Sequence, residues 1–182
     1  WGDVAASATA APLPCRPSDL ATLLYTSGTT GRSKAVLLPH NMYCRGAANL
    51  ADCFGYRSDD RFHDWMPLSH IGGQLHVTMT AVVAGGCLVQ FPAFSRSRFW
   101  DEVRATEATV FSGFASILSL LLESPPGPDD RRHRLRVGLI GNMPAETLTA
   151  FERRFGVTLL DTYGMSECEP LTLPRPGEMP PG

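Results

Sequence analysis

An α/β fold, a mostly parallel sheet covered by helices, is what this 182-residue sequence predicts, and three observations predict it. From Leu20 onward short apolar runs alternate with amphipathic stretches, the pattern of strands joined by crossover helices. The amphipathic stretches repeat their apolar residues at spacings of three and four, the helical period. Glycine and proline stand at the joints, with 17 glycines and 15 prolines making a turn-rich chain that stays below the level signalling disorder.

The elements follow in order. Residues 1 to 19 are rich in Ala and Pro and read as a linker or fragment end. Leu20 to Tyr25 reads as a buried strand, a Gly/Thr/Ser loop follows, and Ala35 to Leu38 is a second strand stopped by Pro39. Asn41 is placed to cap a helix with Tyr43, Ala47, Leu50 and Phe54 on one face. Arg61 to Met66 is a strand, Gln74 to Ala84 a largely buried helix ended by Gly85-Gly86, and Cys87 to Phe91 a strand. Phe99 to Glu107 forms a helix with Phe99, Trp100 and Val103 inward; Thr109 to Phe111 is a strand, and Ala115 to Leu122 a helix ended by Ser124-Pro125-Pro126. Leu135 to Ile140 is a strand. Pro144 then opens a helix whose inner face is Leu148, Phe151 and Phe155 and which Gly156 closes. Val157 to Asp161 is the last clear strand, and the tail from Pro170 to Gly182, with five prolines, reads as a loop. There is no internal repeat.

Composition excludes several classes. A formal net charge of −2 offers no broad basic surface for nucleic acid or anionic lipid. No apolar run is long enough to span a bilayer. The charged share, 19%, is below the usual quarter and fits a well-buried chain or part of a larger body. The five cysteines, Cys15, Cys44, Cys53, Cys87 and Cys168, form no C-x-x-C pair or zinc-spaced cluster; they read as scattered buried thiols in a reducing, cytoplasmic compartment.

The most informative segment is Thr26-Ser27-Gly28-Thr29-Thr30-Gly31-Arg32-Ser33-Lys34, directly after a strand. Glycines let backbone amides approach an anion, hydroxyls add donors, and Lys34 supplies a mobile positive charge. It is not a Walker loop: Gly28 and Gly31 are three apart, and the run after Lys34 looks like a returning strand instead of a helix. Nor is there a G-x-G-x-x-G dinucleotide fingerprint. The ordered string T-S-G-T-T-G-x-x-K resembles the phosphate loop of the adenylate-forming superfamily, which includes acyl-CoA synthetases, the adenylation domains of nonribosomal peptide synthetases and firefly luciferase.

A second motif agrees. Asp161-Thr162-Tyr163-Gly164-Met165-Ser166-Glu167 is similar to the family's Y-G-x-[ST]-E element. The resemblance implies that Tyr163 packs on adenine, that Ser166 lies near the α-phosphate and acyl carbonyl, and that Glu167 helps bind Mg²⁺. The physical logic is independent of the name: a carboxylate is a hard ligand for Mg²⁺ bridging phosphates, an aromatic face stacks on a base, and Gly164 permits close approach. Taken alone, a Tyr-Gly turn after a strand is more often structural. Met66-Pro67-Leu68-Ser69-His70 resembles the family's P-x-x-H segment, whose His borders the acyl and α-phosphate region. Gly141-Asn142-Met143-Pro144 occupies the place of the G-[GA]-x-P turn beside adenine, with Asn142 where a small residue is common. His40, His63, His76 and His133 read as structural or exposed, and the charge run Asp129 to Arg134 as a solvated loop and helix edge.

The resemblance covers Leu20 to Gly182 and corresponds to the middle of a family member, a partial adenylation domain belonging to the large N-terminal domain. The ribose-binding Asp, the hinge and the small C-terminal lid domain with its catalytic Lys are expected to lie outside this sequence. It implies ATP-dependent activation of a small-molecule carboxylic acid to an acyl-adenylate, then transfer to coenzyme A. Thr26, Ser27, Gly28, Thr29, Thr30, Gly31 and Lys34 are expected to hold phosphates, and Gly141, Asn142, Asp161, Thr162, Tyr163 and Gly164 the nucleoside. His70, Ser166 and Glu167 are expected at the reacting groups, with Glu167 the Mg²⁺ ligand. Amino-acid-activating relatives place an Asp near the P-x-x-H region; here Pro67 to Gln74 contains no acid, which favours an acyl-CoA ligase. Arg98-Phe99-Trp100-Asp101 and Arg154-Phe155-Gly156-Val157 resemble the crotonobetaine/carnitine-CoA ligase-like branch. An amino-acid adenylation domain and a non-catalytic nucleotide-binding remnant are the alternatives.

Overall fold

The computed structural model describes residues 13–26, 31–141 and 144–173. The α/β architecture predicted from the alternation is present. A hairpin of β1 (Leu20–Thr26) and β2 (Lys34–Pro39) pairs antiparallel with Leu24 opposite Val36 and Thr26 opposite Lys34. It leads into α1 (His40–Cys53), whose buried residues include Tyr43, Ala47 and Leu50, with Phe54 buried just past its end, as the spacing predicted. Asn41 does not cap this helix; Pro39 occupies the cap position. The N–H groups of His40 and Asn41 donate instead to the carbonyls of Asp19 (3.0 Å) and Pro17 (2.8 Å), so backbone carbonyls satisfy the donors a side-chain cap would take.

The main sheet has six strands: β3 (Arg61–Asp64), β4 (Cys87–Gln90), β5 (Val110–Phe114), β6 (Val137–Gly141), β7 (Thr158–Met165) and β8 (Cys168–Thr172). Their spatial order is β4-β3-β5-β6-β7-β8, parallel except for β8. Between β3 and β4 runs a π-helical segment, Gly72–Met79, continued by α2 (Thr80–Ala84). The other crossovers use α3 (Phe99–Ala105), α4 (Ala115–Leu122) and α5 (Ala145–Phe155). Strand neighbours point to opposite faces. Val110, Leu139 and Leu160 join a core with Leu50, Leu75 and Ala81, while Phe111, Ile140 and Leu159 join another with Phe99, Leu118, Phe151 and Phe155. Each fully buried ring among these contributes on the order of 2–3 kcal/mol.

Several expectations are corrected. The helix predicted from Gln74 opens as a π-helix: the hydroxyls of Thr78 and Thr80 donate to the carbonyls of Gly73 (2.7 Å) and Leu75 (2.8 Å), five residues back, which the wider turn brings within reach. The last strand runs on to Met165, so Tyr163-Gly164 lies within β7 and the turn falls at Ser166-Glu167. Pro170 belongs to β8, a position open to proline because β8 is an edge strand. The cysteines are free but not buried; four are exposed and Cys53 is half-buried, because Cys15 lies in the segment before β1, Cys44 and Cys53 on α1, and Cys87 and Cys168 at the starts of edge strands. The charge run bears no helix; within it Asp130 accepts from Arg154 at 2.8 Å, tying the loop to the end of α5.

The end of the sheet away from the strands' carboxyl termini is held by one buried carboxylate. Asp60 Oδ1 accepts from Thr109 Oγ1 (2.7 Å) and Arg136 Nε (3.0 Å), and its Oδ2 accepts from the N–H of Arg57 (2.7 Å) and from Arg136 Nη2. Arg136 also donates to the carbonyl of Gly55 (2.8 Å), so α1, β3, β5 and β6 meet there.

Candidate active site

The chain leaves β3 toward β4 on one side, and from β5 it proceeds to β6 and β7 on the other. The crevice at the carboxyl ends of β3 and β5 is therefore a topological switch point, the place where open α/β sheets bind ligands. A cavity of about 670 Å³ opens there. Its lining comes from Met66 after β3, from His70, Ile71, Gly72 and His76 at the π-helical segment, and from Ser112, Gly113 and Phe114 ending β5. Leu139 and Gly141 of β6 and the run Asp161 to Ser166 complete it.

Most of the second motif and the His70 segment thus meet in one place. Seven predicted residues, His70, Gly141, Asp161, Thr162, Tyr163, Gly164 and Ser166, line the cavity. Tyr163 is 61% exposed, leaving its ring face accessible, and its backbone is fixed by an N–H donated to Thr172 Oγ1 at 3.1 Å. Glu167 stands exposed in the β7–β8 turn, outside the lining. Ser27, Gly28, Thr29, Thr30 and Asn142 lie outside the described residues. Thr26, Gly31 and Lys34 are described but do not line the cavity; Lys34 opens β2, so the loop returns as a strand, as expected. Gly31 has φ +153°, a backbone conformation that side chains rarely adopt.

His70 sits in a tightly built turn. Its N–H donates to the Pro67 carbonyl at 2.9 Å, and its Nδ1 accepts from the Gly72 N–H at 3.0 Å. With Nδ1 accepting, the neutral ring carries its proton on Nε2, leaving that atom as a donor. Gly73 packs so closely under the turn that a Cβ there would lie 2.6 Å from the Pro67 carbonyl oxygen and 2.9 Å from that of Met66.

One buried carboxyl stands at the root of this turn. Asp64, 0% exposed, accepts from the Met66 N–H through Oδ1 at 2.9 Å. Burial pushes its pKa up to about 6, against the lowering pull of that hydrogen bond. A folded-state pKa above the unfolded value of about 3.9 favours folding below pH ~4, and the advantage is lost as pH rises through 6. Asp64→Asn, which keeps the Oδ1 acceptor and removes the charge, is expected to stabilise the protein by roughly 1–2 kcal/mol at pH 7.5 and to change little at pH 4. Urea denaturation at both pH values checks this, and equal effects at the two would contradict it. The neighbouring His63 is an aromatic core group, stacked on Phe91 at 4.5 Å, and burial lowers its pKa to about 4, so it stays neutral.

Sequence reasoning missed His76, Ser112 and Phe114. His76, read as structural or exposed, lines the cavity; the available signal was its position one turn after Gly72 on the helix that follows the His70 turn. Ser112 and Phe114 were hidden because β5 was expected to end at Phe111. Among the described residues no group of three or more His, Cys, Asp or Glu could hold a metal ion, and no helix is long and apolar enough to cross a membrane.

Comparison with known proteins bears on the family and the fold. The family model described as AMP-binding enzyme matches residues 2–181. A crotonobetaine/carnitine–CoA ligase of Salmonella paratyphi B is 39% identical over 150 residues, covering 82% of this chain and 29% of the relative. The crystal structure of ATP-bound MatB from Rhodopseudomonas palustris superposes with a TM-score of 0.81 at 29% identity, covering 93% of this chain and 34% of that one. The o-succinylbenzoate coenzyme A synthetase (MenE) of Bacillus subtilis, in complex with AMP, gives a TM-score of 0.73 at 30% identity, covering 84% and 31%. The chain therefore spans about three-tenths of the length of the curated relatives it matches.

Proposed function

The chain belongs to the AMP-binding enzyme family, and on that footing we propose that the protein activates a carboxylic acid with ATP and passes the acyl group to coenzyme A. In the first half-reaction a carboxylate oxygen attacks the α-phosphorus of ATP, the bond from that phosphorus to the bridging oxygen breaks, and pyrophosphate leaves. In the second, the coenzyme A thiolate attacks the acyl carbon and AMP leaves. The observation that carries this reading is the convergence of His70, Tyr163, Gly164 and Ser166 on one cavity at the switch point.

In this reading Tyr163, with Asp161, Thr162, Gly164, Gly141 and Asn142, supports the adenosine. Residues 26 to 31 and Lys34 hold the β- and γ-phosphates. His70, with Nε2 as donor, and the Ser166 hydroxyl border the carboxylate and its α-phosphate, where negative charge is redistributed. Holding two anions in line is the larger part of the task. The exposed Glu167 fits Mg²⁺: such ions take one or two carboxylates and fill the remaining positions with phosphates and water, so no larger acidic cluster is needed. The ion supplies charge neutralisation on the phosphates.

The acid activated lacks a free α-amine. No acidic residue lies between Pro67 and Gln74, and the one acid lining the cavity among the described residues, Asp161, is assigned to the nucleotide. The similarity to crotonobetaine/carnitine–CoA ligases points the same way, toward an acid–thiol ligase, which we place in the cytoplasm on the scattered free thiols. The test is a screen of acids with the full-length protein, ATP and hydroxylamine, which traps an acyl-adenylate as hydroxamate and AMP. Simple acyl acids are expected to give more product than α-amino acids; the reverse order would overturn the assignment.

A further inference from the structure

We propose that Gln74, held by Tyr43, is a positioning residue for His70 that ties the helix after the phosphate loop to the turn carrying the imidazole. The inference rests on the role for His70 given above. The π-helical segment begins with two glycines, Gly72 and Gly73, packed against the turn. Gln74 is thus the first residue of that segment with a side chain. Its Nε2 donates to the carbonyl of Leu68 at 2.6 Å, in the middle of the turn, and its N–H donates to the His70 carbonyl at 3.1 Å. Its Oε1 accepts from the hydroxyl of Tyr43, a residue only 7% exposed on α1. Helix α1 directly follows β2, whose first residue is Lys34.

The amide is therefore oriented at both ends. The Leu68 carbonyl can only accept, which fixes Nε2 toward it and leaves Oε1 to accept from the Tyr43 hydroxyl. Without that side-chain contact the 67–70 turn keeps its own Pro67–His70 bond and the bonds from the backbone N–H groups of Gly72 and Gln74 to His70, all made by the adjoining backbone and none tying the turn to α1. A shift of the imidazole by a fraction of an ångström lowers reactivity without removing any group that holds ATP.

The experiment compares steady-state adenylate formation in the full-length protein. Gln74→Met fills the same space with neither hydrogen bond, and Gln74→Glu keeps the acceptor for Tyr43 but loses the donor to Leu68. Both are expected to lower kcat about tenfold or more, with KM for ATP within about twofold and little change in Tm. Tyr43→Phe is expected to cost less, and Tyr43→Phe combined with Gln74→Met no more than Gln74→Met alone. A loss of stability with kcat intact in both Gln74 variants, alongside a His70→Ala variant slowed at least tenfold, would overturn the positioning role and leave the proposed function standing. Additive losses in the double variant would also overturn it. Wild-type turnover by His70→Ala would overturn the positioning role together with the role given to His70, while the adenylate formed would leave the activation of the acid standing.

Discussion

Lys34→Ala, or Thr29→Ala together with Thr30→Ala, is expected to slow acid-dependent pyrophosphate exchange in the full-length protein by on the order of 10²- to 10³-fold. The departing pyrophosphate gains charge as the bond to the α-phosphorus breaks. Preorganised donors and a cation aimed at that charge stabilise the transition state more than the ground state. Lys34 opens β2 opposite Thr26, at the point where the loop's two ends are pinned together by the hairpin register. The affinity for the acid is expected to change much less, since these groups are assigned to the phosphates and Lys34 stands outside the lining of the cavity. Exchange within twofold of wild type in both variants would contradict the assignment of residues 26 to 34 to the phosphates.

Asp60→Ala is expected to lower folding stability by about 3–5 kcal/mol, because it strands Arg136 and Thr109 at a junction of four elements. Burial alone would raise the pKa of Asp60, but hydrogen bonds from Arg136, Thr109 and the Arg57 N–H outweigh it and hold the carboxyl below its ordinary range. With the folded-state pKa depressed, the stabilisation is present above the unfolded value near pH 4 and lost as pH falls through the folded value. The gap between wild type and Asp60→Ala should therefore be full at pH 7 and shrink below pH 4. Urea denaturation across that range is the check, and a loss under about 1 kcal/mol at pH 7 would contradict it.

The alternation of apolar runs revealed the central strands because β5, β6 and the start of β7 are buried on both faces, so Val137 to Ile140 or Leu159-Leu160 reads as continuous apolar sequence, whereas β1, expected to be buried, exposes Leu20, Leu23 and Tyr25. The helix faces were equally legible: Leu148, Phe151 and Phe155 are spaced for one side of α5 and are buried there. What period and propensity could not show were features set by side-chain hydrogen bonds within a helix and by backbone bonds between segments. The π-helical turn depends on where the Thr78 and Thr80 hydroxyls reach, and the start of α1 on carbonyls from residues 17 and 19. Strand β8 escaped because Pro170 argues against a central strand, and only its edge position admits it. In the site, motif residues were legible by chemical type, whereas Ser112 became visible only when β5 ran on past Phe111 and the sheet order placed it beside β3.

Exchange of labelled pyrophosphate into ATP by the full-length protein tests the central claim most directly. An adenylate-forming enzyme returns label to ATP only when the acid is present, requires Mg²⁺, and needs no coenzyme A, since the thiol acts after pyrophosphate has left. The account predicts exchange with that dependence, lost when Glu167 is replaced by Ala. Acid-independent hydrolysis of ATP to ADP and phosphate, or tight ATP binding with no exchange for any acid that the hydroxamate screen includes, would contradict it.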